Sequence, residues 1–392
     1  MAVNLTNADS ALKSFYLDAV STQLNNNVNP LFAKIKQSTD DVWGKEVKKL
    51  AIYGMNGGIG AGTEDGDLPE SAGNNYGEIV ATLKNLYGTI EISDKAVRAS
   101  ENNSGAFVSL LNAEMDGLIK SSMFNFGRML FGDGTGVIAK VSSIASGKIV
   151  VDSVKNMIEG MVVDFRDKST GSIISGAGGR RILAIDKANK KLTVSGTALT
   201  ATNVPENSLI SVQGSYQNEI TGLKAIFDKT SNLYGMSRAD NAWLNPVSIE
   251  QDGEITENAI QKALDAVEES GGASVNFIVC SWGVRRALQK ILSAANRNIS
   301  TMELVGGFKA MSYNGIPIVA DRFCPDGTMY LLNTDDFTLH QLCDWQWLSG
   351  DDGRVLKQLA NKPVYTATLV KYAELVCARP YAQGVITGIT EQ

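Results

Sequence analysis

Histidine is almost missing from this sequence: His340 is the only one in 392 residues. That scarcity excludes His-rich zinc sites and leaves little for acid–base catalysis. Within the strand-like FTLHQL, His340 reads as a satisfied structural residue. The four cysteines, Cys280, Cys324, Cys343 and Cys377, show no CxxC spacing, so free buried thiols in a reducing compartment are expected. No apolar run reaches membrane-spanning length, and no basic stretch followed by an apolar core opens the chain. The expectation is therefore a protein made and kept in cytoplasm, with no membrane partner. The net charge is −6, without the basic excess of a protein that grips nucleic acid by its phosphates.

Chemical motifs are equally sparse. Gly-rich GGIGAG at 57–62 has no GK[ST] after it, so it reads as a loop rather than a phosphate cradle. Ser281 in VCSWG lacks the first glycine of a nucleophile elbow and has no evident base. The Asp-Gly pairs do not reproduce a calcium loop and read as turns. No catalytic residue, cofactor or metal is expected, and the chain is not expected to be an enzyme.

What is present is long elements and glycine. Phe107, Leu111, Met115, Leu118, Ser122, Phe126 and Met129 recur at steps of three or four and share one helical face. Between Gly105 and Phe131 the only charges are Glu114, Asp116, Lys120 and Arg128, so this helix is expected to pack on several sides. At about 1.5 Å per residue it spans roughly 40 Å, a backbone for the subunit. Before it, two strand-like stretches flank a Gly-rich polar excursion and form an extended hairpin over 46–92. From Ala51 to Leu83 there is no Lys or Arg, but there are Glu64, Asp65, Asp67, Glu70 and Glu78. A loop so long and acidic is either solvated and mobile or docked on something else, and the sequence favours the mobile reading.

The remaining chain divides by pattern. Residues 1–45 form an arm, with a short helix around Leu12–Val20. Residues 137–219 hold short β-branched runs separated by turns, with ten Lys and Arg against seven Asp and Glu, and read as an inserted all-β unit. Residues 254–270 and 282–297 read as helices, VNFIVCS, GIPIVADRF and TMYLLNT as strands, and VYTATLVKYAELVCARP as a final β-rich element. The fold class is α+β, two helices against a sheet to which a C-terminal strand returns.

The order of these parts resembles the major capsid proteins of tailed phages, the Hong Kong 97-type fold. The residues carrying the resemblance are the long helix running into FGDGTG at 131–136, ITGLKAIFD at 220–228, VNFIVCS followed by a helix, NGIPIVADRFCPDGTMYLLN at 314–333 and CARPYAQGVI at 377–386. The resemblance implies an N-terminal arm (1–45), an E-loop hairpin (46–92), a P domain with a spine helix (93–136), the inserted β-domain (137–219), an A domain (220–350) and a C-terminal return (351–392). It further implies a structural protein forming pentamers and hexamers of an icosahedral shell around double-stranded phage DNA, bound without sequence specificity. The acidic residues Glu64, Asp65, Asp67, Glu70 and Glu78 then form an intersubunit arm on a neighbour's basic patch.

Implied partners are copies of the chain and, during assembly, a scaffolding protein or protease and a portal. The implied location is the virion capsid, assembled in host cytoplasm. The family's large N-terminal scaffolding segment has no counterpart in so short an arm, so either the mature form is present or a separate scaffold assists. Lys84 is the only lysine between Leu50 and Ser93, but no motif marks a cross-linking partner. Two alternatives remain open: an encapsulin-like nanocompartment shell, and a glycan- or surface-binding protein that uses the β-domain.

Overall fold

The computed structural model describes residues 29–95, 104–145, 147–271, 274–294, 301–303, 309–350 and 353–392, with backbone alone for 104–113, 294, 301–303 and 309. The helix expected at Leu12–Val20, and the side chains of Phe107 and Leu111, lie outside the described residues. The chain forms two compact units, one of Met1–Gly127 with Ala225–Gln392 and one of Arg128–Lys224.

In chain order, the first unit begins with β1 (Lys36–Ser38), β2 (Val42–Trp43), β3 (Glu46–Gly54), β4 (Asn75–Thr82), β5 (Lys84–Ser93) and helix α1 (Ser104–Leu130). The second unit holds β6 (Val137–Ala145), β7 (Lys148–Val151), β8 (Val162–Arg166), β9 (Arg180–Asp186), β10 (Lys191–Val194) and β11 (Leu209–Val212). The chain then returns through β12 (Val247–Gly253), α2 (Glu257–Gly271), β13 (Phe277–Cys280) and α3 (Trp282–Ala294). It continues with β14 (Thr301–Glu303), β15 (Lys309–Tyr313), β16 (Ile316–Ala320) and β17 (Met329–Leu332). Last come β18 (Phe337–Trp347), β19 (Lys357–Gln358), β20 (Val364–Cys377) and β21 (Gly384–Ile389).

Helix α1 runs for 27 residues and buries more than its predicted stripe. Met115, Phe126 and Met129 of that stripe are buried, Leu118 and Ser122 half-buried. Ile119 and Phe124, off the stripe, are buried too, because the helix is covered on more than one side. Phe126 sits edge-on to Phe32 at 4.9 Å and to Trp345 at 6.4 Å, and Phe124 edge-on to Phe323 at 5.2 Å. On β5, Leu86, Ile90 and Ile92 alternate inward, and bare Gly88 in that row makes room for Leu118 and Ser122.

Besides the three-stranded hairpin sheet β2-β3-β4, two larger sheets carry the first unit. One is built on β20, which pairs antiparallel with β18 on one edge and with β5 and β19 on the other, while short β1 adds parallel to β18. The other runs β12-β21-β17-β13-β16-β15-β14. Ala259, Ile260, Ala263 and Val267 of α2, and Val284, Ala287 and Leu288 of α3, share its core with Ile278, Ile318 and Leu331. The resemblance implies a hairpin over 46–92 and an A domain over 220–350; within those ranges, β5 pairs with β20 rather than β4, and β18 pairs with β20. Antiparallel registry with β20 gives Tyr87↔Val370 and His340↔Glu374, so both strands complete the β20 sheet. Alternation marks a half-buried strand but not its partner.

The second unit is a closed barrel of six strands, ordered β10-β7-β6-β11-β8-β9. Ile138, Val141, Ile149, Val163, Phe165, Ile182, Leu192 and Ile210 fill it, and closure leaves no free sheet edge. Its two chain ends are held together. Arg128 donates to both carboxylate oxygens of Glu219, at 2.9 and 2.6 Å, with both side chains buried. Lys224 reaches Asp133 at 2.9 Å, and a side chain at Gly222 would strike the carbonyls of Met129 and Gly132.

Two outcomes test this packing. Phe126→Ala removes a ring buried between two aromatics and is expected to cost about 3–5 kcal/mol in denaturant unfolding. Glu219→Ala removes the carboxylate that pairs a buried guanidinium and is expected to cost about 3–5 kcal/mol, while Arg128→Met with Glu219→Leu lies much closer to neutral. A double variant as unstable as the single one would show that the pair's charge is not what matters.

Candidate assembly surface

Among the described residues, the hairpin carries most of the exposed large apolar side chains. β3 and β4 pair antiparallel from Glu46↔Thr82 to Gly54↔Asn75, with β2 on the outer edge of β3. Alternation divides the side chains between two faces. Val47, Ala51, Ile79 and Ala81 turn inward and pack with Leu83, Val376, Tyr234, Met236 and Trp243. The opposite face carries Trp43, Leu50, Ile52, Tyr76 and Val80, which are 70, 61, 52, 52 and 37% exposed. This is a strand pair with apolar residues on both faces, only one of which its own subunit covers. Sequence reading misses the outer row, although Leu50, Ile52, Tyr76 and Val80 interrupt the polar half of the alternation.

The tip, 55–74, contains no strand, and Met55, Ile59 and Leu68 stand about 90% exposed (94, 90 and 89%). The hydrogen bonds within it are local, Asn56 Oδ1 accepting from Gly58 N and Thr63 O from Gly66 N. The five predicted acidic residues are all exposed but do not form one cluster. Glu64, Asp65, Asp67 and Glu70 lie on the tip, while Glu78 sits on β4 opposite Leu50.

The base of the hairpin is held by a loop that periodicity does not reveal. Buried Arg238 donates to the carbonyls of Ala225 (2.9 Å), Ile226 (2.8 Å), Ser231 (2.9 Å) and Leu244. Four carbonyls around one guanidinium fix the stretch 225–245, whose only regular pieces are the end of a short helix, Leu223–Phe227, and a 3-10 turn, Ala242–Leu244. That loop presents Trp243, stacked on Tyr53 at 5.2 Å with the rings nearly parallel. It also presents Tyr234, whose hydroxyl donates to Leu375 O and accepts from Cys377 N. Burial pushes the Tyr234 phenol well above its ordinary range, so it stays a donor.

Elsewhere the chemistry is structural. Ser281, weighed as a nucleophile, hydrogen-bonds Glu391 and caps α3. Burial pushes the Cys280 thiol up to about 12, where it is inert. Among the described residues no group of three or more His, Cys, Asp or Glu is placed to hold a metal, and no helix is long and apolar enough to cross a membrane.

Gly77 on β4 allows the Trp243 ring to lie against the strand, since a Cβ there would come within 2.6 Å of it. Gly77→Val is therefore expected to speed amide exchange across 46–54 and 75–82, and Trp243→Ala in the same chain to relieve part of the effect. An unchanged exchange pattern in Gly77→Val would show that the ring does not seat the hairpin.

Comparisons with known proteins fit this geometry. Residues 198–390 match the family described as SU10 major capsid protein. None of the curated proteins compared matches the sequence. Among solved structures, the capsid asymmetric unit of cyanophage A-1(L) aligns over 96% of this chain and 94% of its own, at 13% identity and a TM-score of 0.56. A native GTA particle capsid aligns over 90 and 88% of the two chains, at 12% identity and a TM-score of 0.48. The holo-SrpI encapsulin complex of Synechococcus elongatus aligns over 95% of both chains, at 11% identity and a TM-score of 0.47. The cyanophage subunit gives the fold, a shared mixed α/β architecture, and the family match gives a similarity to SU10 major capsid protein over just under half of the chain.

Proposed function

We propose that this protein closes into an icosahedral shell of pentamers and hexamers around double-stranded DNA, as a structural protein without catalytic activity. One observation carries the reading: the hairpin's outer face and tip expose large apolar side chains that the subunit does not cover. Soluble monomers rarely leave such a row open, and a neighbouring copy is the partner a shell supplies. Each contact can be weak, since many act together and a subunit leaves only when several break at once.

In this reading the hairpin is the E-loop, α1 the spine of the P domain, the β20 sheet the rest of that domain, and the seven-stranded sheet the A domain. The barrel is the inserted domain. Glu64, Asp65, Asp67 and Glu70 at the tip meet a basic patch of the next subunit, and Glu78 lies within the contact itself. The net charge of −6 suits a container filled with DNA, because a lining that held phosphates tightly would hinder packaging. Assembly takes place in host cytoplasm with a scaffolding protein or protease and a portal, and the product is the virion capsid.

The test is assembly itself, by light scattering and electron microscopy at graded concentration, with and without co-expressed neighbouring phage proteins. Pentamers, hexamers or closed particles are expected, and a strictly monomeric or dimeric protein in every condition would overturn the reading. Leu50→Asp with Tyr76→Asp is expected to leave subunit stability within about 0.5–1 kcal/mol, since both sites are exposed, yet to abolish particles. Protease is expected to cut between Gly57 and Asn75 in free subunits and to be blocked in particles, and equal cleavage in both states would count against an intersubunit hairpin.

A further inference from the structure

Sequence reading makes His340 a satisfied structural residue, but only one of its ring nitrogens is satisfied. The ring is buried in β18, 1% exposed, with Nδ1 3.0 Å from the carbonyl oxygen of Asp40. A carbonyl can only accept, so Nδ1 carries the hydrogen and Nε2 is the bare acceptor. Nε2 is buried and has no hydrogen-bond partner among the described residues. A proton arriving there makes a buried cation whose new N–H has nothing to donate to.

The ring sits where the chain is lightly fastened. β1 pairs with β18 over only three residues, the last being Ser38↔His340. The chain then turns through Asp41, at φ +61°, into β2. The amide of Lys48 donates to Asp41 O, so the same turn also ties the base of the hairpin. The charged groups facing the ring are Asp40 and Asp41 of that turn, Lys49 of β3, and Glu374, its registered neighbour on β20. Glu374 itself accepts from the Leu375 amide.

We propose that His340 is a proton-operated latch: neutral, it holds the segment 36–43 against β18, and protonated, it releases that segment and loosens the hairpin base joined to it. Burial is the largest influence on the ring and, with Lys49, outweighs the Asp40 hydrogen bond and the two aspartates, holding its pKa below the ordinary 6.5. The released form therefore takes up the proton first. Docking is fully favourable above pH 6.5 and weakens as pH falls from there through the lower value of the docked state. Within that window the docking equilibrium changes by up to about tenfold per pH unit.

A single histidine makes the test direct. Hydrogen exchange at the imidazole C2 position, followed by mass spectrometry on the full chain, reports the titration of His340 alone. Backbone amide exchange in peptides covering 36–43 and 338–341, corrected for intrinsic rates, reports the latch between about pH 7.5 and pH 5. The expected result is that protection of 36–43 falls with the midpoint of the His340 titration, below pH 6.5. His340→Asn keeps a donor for Asp40 O but cannot titrate, and its 36–43 protection is expected to stay flat. Unchanged protection in the unmodified protein, or the same pH profile in His340→Asn, overturns the latch. If the variant does not fold, the two midpoints in the unmodified chain decide, and a separation beyond about half a pH unit overturns it.

Discussion

Strand β20 is the element on which the first unit depends. Fourteen residues long, it is hydrogen-bonded to β18 along one edge and to β5 and β19 along the other. Its inward residues Ala367, Leu369, Ala373 and Leu375 are fully buried, and Val376 reaches the core under the hairpin. Tyr234 fastens the Arg238 loop to its last turn of backbone through Leu375 and Cys377. Even its charge is enclosed. Lys371 is fully buried, 2.9 Å from Asp344 and 3.0 Å from Gln37, with Trp345 within 5.7 Å. Burial pulls the Lys371 ammonium below its ordinary value, and Asp344 works against that. The hairpin, the arm strand and the long helix each meet this strand or its neighbours.

From that frame follows a division of labour. The β20 sheet with α1, and the seven-stranded sheet with α2 and α3, bury their apolar faces inside the subunit, as does the barrel. The hairpin buries one face and leaves the other exposed. In the proposed shell, stability and assembly would draw on opposite faces of the same two strands, β3 and β4. Surface charge follows the same logic, since a tip with acids and no cations is soluble alone and attracted to a basic surface when one approaches.

Legibility in the sequence followed the range of the interaction. α1, α2, α3 and the strands at 277–280, 316–320 and 329–332 are local periodicities, and their positions can be read from spacing. Partners cannot. Lys84–Ser93 alternates as any hairpin strand would, and only a registry with residues some 280 positions later takes it from the hairpin to the β20 sheet. The Arg238 loop has no period at all, because its order comes from four carbonyls on one side chain. The acidic tip is visible from composition, but the apolar row beside it reads as ordinary strand residues. His340 reads as part of a strand, whereas which of its ring nitrogens is paired depends on Asp40, 300 residues away.

The long separation of β5 from β20 along the chain shapes synthesis. The barrel's pairings all close within Arg128–Lys224, so it can fold as soon as that stretch clears the ribosome. β5 and the inner face of the hairpin cannot, because β20 follows β5 by some 280 residues. At roughly 5–20 residues per second, the ribosome leaves them uncovered for about 10–60 s. During that interval the nascent chain carries a finished barrel and an unfinished sheet, with free edges of the kind that join to other chains. Chaperone dependence should therefore track the rate at which the stretch between β5 and β20 is translated.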